Sequence, residues 1–286
     1  SNPVGDANFP LVETCAAISP GGLAAILRPM GIALGIDLAS SSWDANGSAL
    51  LAFDDDGWTR CEAGCISWPQ EPLTPPSLAR AIDRFARARG VRAIGLDGPH
   101  AWRRTPETSP HLPGVGRYSE YGVKAPGKTL TYGQCKPKTW LPWITFCIDT
   151  FTELLAKPDV TVVNSVAAGR RGPRAGGYLV LECFPTSIWR CSRLAPLPGK
   201  ARSSARVVRA HAGALVQRFA LPKTAVTANH DDLQAVVAAL PAAGLLGGPA
   251  EPIAHGVPVR TLPARGGVPR HRVEGIIWDA RPSPAS

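Results

Sequence analysis

Apolar and polar positions change period several times along the chain. Ile32-Ala-Leu-Gly-Ile-Asp37 is an apolar run ending in an acid, which predicts a buried strand. Ser48–Phe53 predicts a second strand, Asp54-Asp-Asp-Gly57 a turn, and Trp58–Trp68 a third strand; together they form an antiparallel meander. Ser77 then caps a helix reaching Arg89, with Leu78, Ile82 and Phe85 on one face and arginines on the other. Val91–Asp97 predicts a strand that again ends in an acid.

Periodicity fades over residues 98–138, which are rich in Pro, Gly and basic side chains, as expected of a long functional loop. Trp140–Ala156 predicts an amphipathic helix and Val160–Val163 a short strand. Gly169–Gly177 predicts a basic loop, and Tyr178–Phe184 a strong strand with Glu182 inside it. A helical turn at Thr186–Arg193 and a basic helix at Ala201–Phe219 follow. Thr227 or Asn229 caps a final apolar helix, Asp231–Ala243. Residues 244–286 are Gly/Pro-rich, with a last strand expected at Val273–Trp278. The whole predicts an α/β fold, a mixed sheet flanked by helices.

Composition narrows the class. Among 286 residues, 44% are hydrophobic, which excludes a wholly disordered chain, and no apolar stretch is long enough to span a membrane. The net charge is +9 and lopsided. Residues 1–159 hold 15 basic against 16 acidic side chains, and residues 160–286 hold 16 against 6, which points to a polyanionic partner for the second half. Seven cysteines at irregular spacing argue against a disulfide scaffold. Cys61 and Cys65 lack a second pair at zinc-finger spacing, so free thiols and a cytoplasmic location are expected. Met30 is the only methionine, and residues 1–30 read as an N-terminal extension without the pattern of an export signal.

Five acids stand out because their surroundings are apolar: Asp37, Asp97, Glu182 and the Asp231–Asp232 pair. Carboxylates at apolar strand ends are costly unless paired or metal-bound. If the strands are neighbours, Asp37, Asp97 and Glu182 converge at one edge of the sheet. Clustered hard oxygen donors suit Mg²⁺ or Mn²⁺. Two such ions about 4 Å apart would activate a water and stabilise a leaving oxygen in phosphodiester hydrolysis. Each acid also has a plainer reading. Asp37 could cap Ser40–Ser42, Asp97 could serve a turn, and Asp231 and Asp232 suit the positive end of a helix. His100 and His230 are candidates for proton transfer, and Trp140 and Trp143 read as helix core.

Gly35-Ile-Asp37, Gly95-Leu-Asp97-Gly-Pro99, Leu181-Glu182-Cys-Phe-Pro185 and His230-Asp231-Asp232-Leu-Gln-Ala235 occur in the order of the motifs of the DUF429 family, and the chain resembles that family over about residues 31–280. Arg117-Tyr-Ser-Glu120 and Glu274-Gly-Ile-Ile-Trp278 fit its further steps. The resemblance implies a ribonuclease H-like nuclease with a five-stranded sheet whose first three strands are antiparallel. It implies a single domain over residues 31–280 with an insertion at about 98–140 and a tail at 281–286. It places the acidic set on Asp37, Asp97, Glu182 and Asp231, with Asp232 as the alternative last ligand. Gln234 stands where the family often repeats an Asp. Arg117, Glu120, Lys124 and Lys128 in the long loop, with Arg170, Arg171 and Arg174, are expected to meet the phosphates of DNA or RNA. The competing classes are a nucleotide-binding phosphotransferase of the actin and sugar-kinase type, disfavoured because Leu38-Ala-Ser-Ser-Ser-Trp43 lacks a glycine, and a nucleic-acid binder without chemistry.

Overall fold

The computed structural model describes residues 31–104, 116–227 and 229–283. The first apolar run becomes β1 (Gly31–Asp37), antiparallel to β2 (Gly47–Asp54), itself antiparallel to β3 (Gly57–Ala63). The chain leaves the sheet through α1 (Pro75–Ala88) and returns as β4 (Ala93–Asp97), parallel to β1. Thr74, rather than Ser77, is the N-cap of α1, because its hydroxyl accepts the Ser77 amide while Ser77 Oγ accepts the Thr74 amide.

The segment expected to be irregular carries α2 (Tyr118–Gly122) and a separate small hairpin, β5 (Lys128–Thr129) with β6 (Cys135–Lys136). Then come α3 (Leu141–Leu155), β7 (Val160–Val162), α4 (Val166–Arg170) and β8 (Tyr178–Cys183), with β8 parallel to β4. Three helices follow: α5 (Pro185–Cys191), α6 (Ala205–Phe219) and α7 (His230–Leu245), the last capped by Asn229. A long hairpin, β9 (Ala250–Leu262) and β10 (His271–Pro282), closes the fold.

The main sheet has eight strands in the order β3-β2-β1-β4-β8-β10-β9, with β7 beside the first half of β8. The expected count of five is therefore too low, because β7 and the closing hairpin extend the sheet past β8. β9 is hidden in the sequence because it contains Gly256, Pro252 and Pro258. It is an edge strand, where proline removes no needed ladder bond. The expected tail likewise begins too early, since β10 runs to Pro282. The expected extension at 1–30 and the centre of the long loop, 105–115, lie outside the described residues.

Alternation along the strands explains the layers. Leu34 and Ile36 face one side of β1 and pack with Leu78 and Ile82 of α1 and Phe151 of α3. Ala33 faces the other side, where α5, α6 and α7 contribute Trp189, Leu215 and Ala239. Both faces are buried, so the strands read as continuous apolar runs. On the second face α7 lies on the sheet backbone. A Cβ on Gly35 would stand 1.9 Å from the Ala235 carbonyl oxygen, and one on Gly95 2.0 Å from that of Ala238. Among the described residues, no helix is long and apolar enough to cross a membrane.

Candidate metal centre

The parallel register of β1 and β4 sets Asp37 directly opposite Asp97 at the strand ends. Each carboxyl group shifts the titration of the other. Burial, then the charges of Asp97 and Asp231, push the Asp37 carboxyl well above the usual carboxylate range. Asp97 is pushed up to about 7, mainly by burial, with the Asp37 hydrogen bond opposing and the Glu182 charge adding to the rise.

The third carboxylate comes from the N-terminus of α7. Asp37, His230 and Asp231 each present one donor atom, and these atoms lie within 4.8 Å of one another. Asp231 is buried and ion-paired with Lys200 Nζ, and its other oxygen contacts His230 Nδ1 at 3.0 Å. Burial would raise its pKa, but His230 and Lys200 together hold it below the ordinary value. His230 Nε2 lies 3.0 Å from the Pro198 carbonyl oxygen, which fixes the ring beside the carboxylates. Asp232 turns away from this group. Its Oδ1 accepts the Ser48 amide at 3.2 Å, tying α7 to β2.

Glu182 is equally buried but differently employed. Arg117 Nη1 and Nη2 donate to its two oxygens, and the His100 amide and Nδ1 both meet Oε2, at 3.0 and 2.7 Å. Burial alone would raise this carboxyl, but the Arg117 charge and its hydrogen bonds bring it down to about 2. Burial keeps His100 below its usual range, so Nδ1 carries the proton it donates to Glu182. Room for the imidazole comes from Gly275, where a Cβ would stand 2.3 Å from the ring.

Of the loop residues expected to meet phosphate, Arg117, Glu120 and Lys128 are engaged within the protein. Arg117 is 1% exposed, and its Nε donates to Glu120 Oε1 at 3.1 Å. Glu120 is also buried, accepting the Arg117 amide and the amide and hydroxyl of Thr129. Lys128 Nζ donates to the Glu120 and Ala125 carbonyl oxygens. Lys124 is exposed. The Arg117–Glu120–Glu182 network therefore ties α2 and the start of β5 to β8. Glu274 in β10 adds to it by accepting the Arg104 and Tyr118 amides.

Gln234 lies in the core, where its Oε1 accepts Trp189 Nε1 at 3.0 Å. It takes no part in the Asp37–His230–Asp231 group. Lys200, which carries no pattern in the sequence, is the neighbour that sequence reading missed. It sits in a single turn at Lys200–Arg202 between α5 and α6.

The donor set is chemically coherent. Two carboxyl groups, of Asp37 and Asp231, and the His230 imidazole, with Asp97 beside Asp37, are donors of the kind a hard or borderline divalent cation takes. Searches of protein-family models, curated proteins and solved structures return no match for this chain.

Proposed function

We propose that the protein is a divalent-metal-dependent nuclease that hydrolyses phosphodiester bonds of DNA or RNA. The observation that carries this reading is the convergence of Asp37, Asp97 and Asp231 from two parallel strands and a helix N-terminus. The partial order β3-β2-β1-β4-β8, with acids at the ends of β1 and β4, supports the ribonuclease H-like resemblance.

Asp37, Asp97 and Asp231 would hold Mg²⁺ or Mn²⁺, with His230 beside them. Such an ion supplies an activated water and neutralises charge on the departing oxygen. The chain's own residues do the rest. The carboxyl pair Asp37–Asp97 would hold the cation in its ionised form, releasing any proton it keeps in the cation's absence. Lys200, 62% exposed along its side chain, places an ammonium where a phosphate would approach Asp231. Arg202, Arg206 and Arg209 are exposed just beyond it and extend the positive track. Glu182 holds Arg117 and His100 in place rather than offering a free oxygen.

Mn²⁺-dependent cleavage of nucleic acid by the wild-type protein, abolished in Asp37→Asn with an unchanged or higher melting temperature, is the expected result. Retained cleavage in that variant overturns the assignment. A second reading, a nucleic-acid binder without chemistry, draws on the capture of Glu182 by Arg117 and His100. Salt-sensitive binding with no metal dependence and no cleavage selects it.

A further inference from the structure

Between the second half of α3 and the residues that open β10 lies a cavity of about 540 Å³, lined by none of Asp37, Asp97, His230 and Asp231. We propose that this cavity binds a nucleotide, with the phosphate on Arg270 and Arg272 and the base against Tyr132 and the apolar side chains of α3. The inference goes beyond the nuclease reading and does not depend on it.

Arg272 is the fixed point of the site. Its Nε donates to the His100 carbonyl oxygen at 3.0 Å, and its Nη2 donates to the Ile148 carbonyl oxygen at 3.1 Å and to Thr152 Oγ1 at 3.0 Å. These acceptors hold the guanidinium in place, but all three are neutral. Nη1, with its two N–H groups, makes no hydrogen bond to a described residue. Burial lowers the pKa of Arg272 to about 10, and Asp149 is the acid whose charge opposes that shift. A half-buried, pre-oriented guanidinium of this kind favours an anion, and its planar fork suits phosphate. Arg270 is exposed and lines the same cavity, so two guanidinium groups face one carboxylate, that of Asp149. Glu153, which acts on Asp149 along α3, is not part of the lining.

A phosphate alone occupies little of a space this size, which falls within the range of about 300–1,000 Å³ usual for small-molecule pockets. The rest of the lining suits a flat ring. Ile148 and Leu155 on α3 supply an apolar wall. Tyr132 is 42% exposed, and its ring is steadied by Trp102 at 5.6 Å and His271 at 5.0 Å. Both neighbours are tilted, by 60° and 53°, so neither covers a face of the phenol as a stacked ring would. A base can stack there while its phosphate reaches the arginines. The Asp149 carboxylate offers an acceptor to sugar hydroxyls or to an exocyclic amino group.

The test is calorimetric titration of the full chain with AMP, GMP, CMP and UMP in EDTA, which keeps metal-borne binding out of the readout. At least one nucleotide is expected to bind with a Kd of about 1 mM or tighter, and the matching nucleoside and ribose 5-phosphate about tenfold more weakly. Arg270→Gln should lose about tenfold and Asp149→Asn should gain about threefold, both at the wild-type melting temperature because both side chains are exposed. Arg272→Lys keeps the charge without the fork and should also lose affinity. A 5′-phosphorylated trinucleotide of the preferred base identifies the source of the ligand: tighter binding than the mononucleotide marks a strand end, weaker binding marks a free nucleotide, and either supports the site. No saturable binding of any of these nucleotides at about 10 mM, equal affinity for ribose 5-phosphate, or unchanged affinity in Arg270→Gln overturns the proposal. Asp37→Asn should bind the nucleotide as wild type does, so failure of the nuclease reading leaves this result untouched.

Discussion

Asp37 and Asp97 face each other across one step of parallel sheet, and each carboxyl group shifts the titration of the other. Two half-buried acids in that position resist ionising together without a counter-charge. The pair therefore favours keeping a proton, which the proposed cation would displace.

Metal-free stability should consequently fall as pH rises. The Asp97 carboxyl is raised to about 7 from an ordinary value of 3.8, so the folded state binds more protons than the unfolded state between those limits. The stabilising proton is fully present below the lower value and lost as pH passes the upper one. Thermal melts in EDTA should show a declining melting temperature from about pH 5 to pH 8. Asp37→Asn should flatten that decline and raise the pH 8 value, and Mn²⁺ should restore the wild-type protein but not the variant. A wild-type melting temperature that is flat or rising with pH contradicts the buried acid pair.

Glu182 should respond in the opposite sense. Glu182→Gln leaves Arg117 buried without its main counter-charge, and breaking a buried pair in this way costs about 3–5 kcal/mol. The variant should unfold at markedly lower denaturant concentration than wild type, where Asp37→Asn does not. A Glu182→Gln protein as stable as wild type but devoid of Mn²⁺ binding would place Glu182 among the ligands after all.

Asp231 and Asp232 can be separated by two readouts. Asp231→Ala should lose Mn²⁺ affinity in calorimetric titration with little loss of stability. Asp232→Ala should keep the affinity and lose about 1 kcal/mol, because the Ser48 amide loses its acceptor. Reversed behaviour would move the ligand role to Asp232.

Lys200 competes with any cation for Asp231. Because its side chain is mostly exposed, the pair is worth at most about 1 kcal/mol. Lys200→Gln should therefore tighten Mn²⁺ binding by up to about fivefold while slowing turnover of a polyanionic substrate. Weaker Mn²⁺ binding by this variant would show that the ammonium helps to assemble the carboxylates instead.

The strands that carry Asp37 and Asp97 were legible because each is a short apolar run stopped by an acid. The closing hairpin was not, since β9 has half-exposed positions and prolines that an edge strand tolerates. The acids could be found from the sequence, but their duties could not. Glu182 and Arg117 lie 65 positions apart, and nothing in either local pattern announces the pair. Asp231 and Asp232 are adjacent in sequence, and only the rotation of α7 against β1 and β2 separates their roles.

That rotation is held by the glycines beneath α7. With Gly35 and Gly95 admitting the helix backbone onto the strands, the height of Asp231 above Asp37 is a spacing between two main chains, not between flexible side chains. The contact would work as a ruler: the backbones that carry the two carboxyl groups are held at a fixed separation, leaving only rotation of the side chains to adjust the proposed site to an ion. Selectivity by ionic radius would then reside in two residues that have no side chain and never touch the ion.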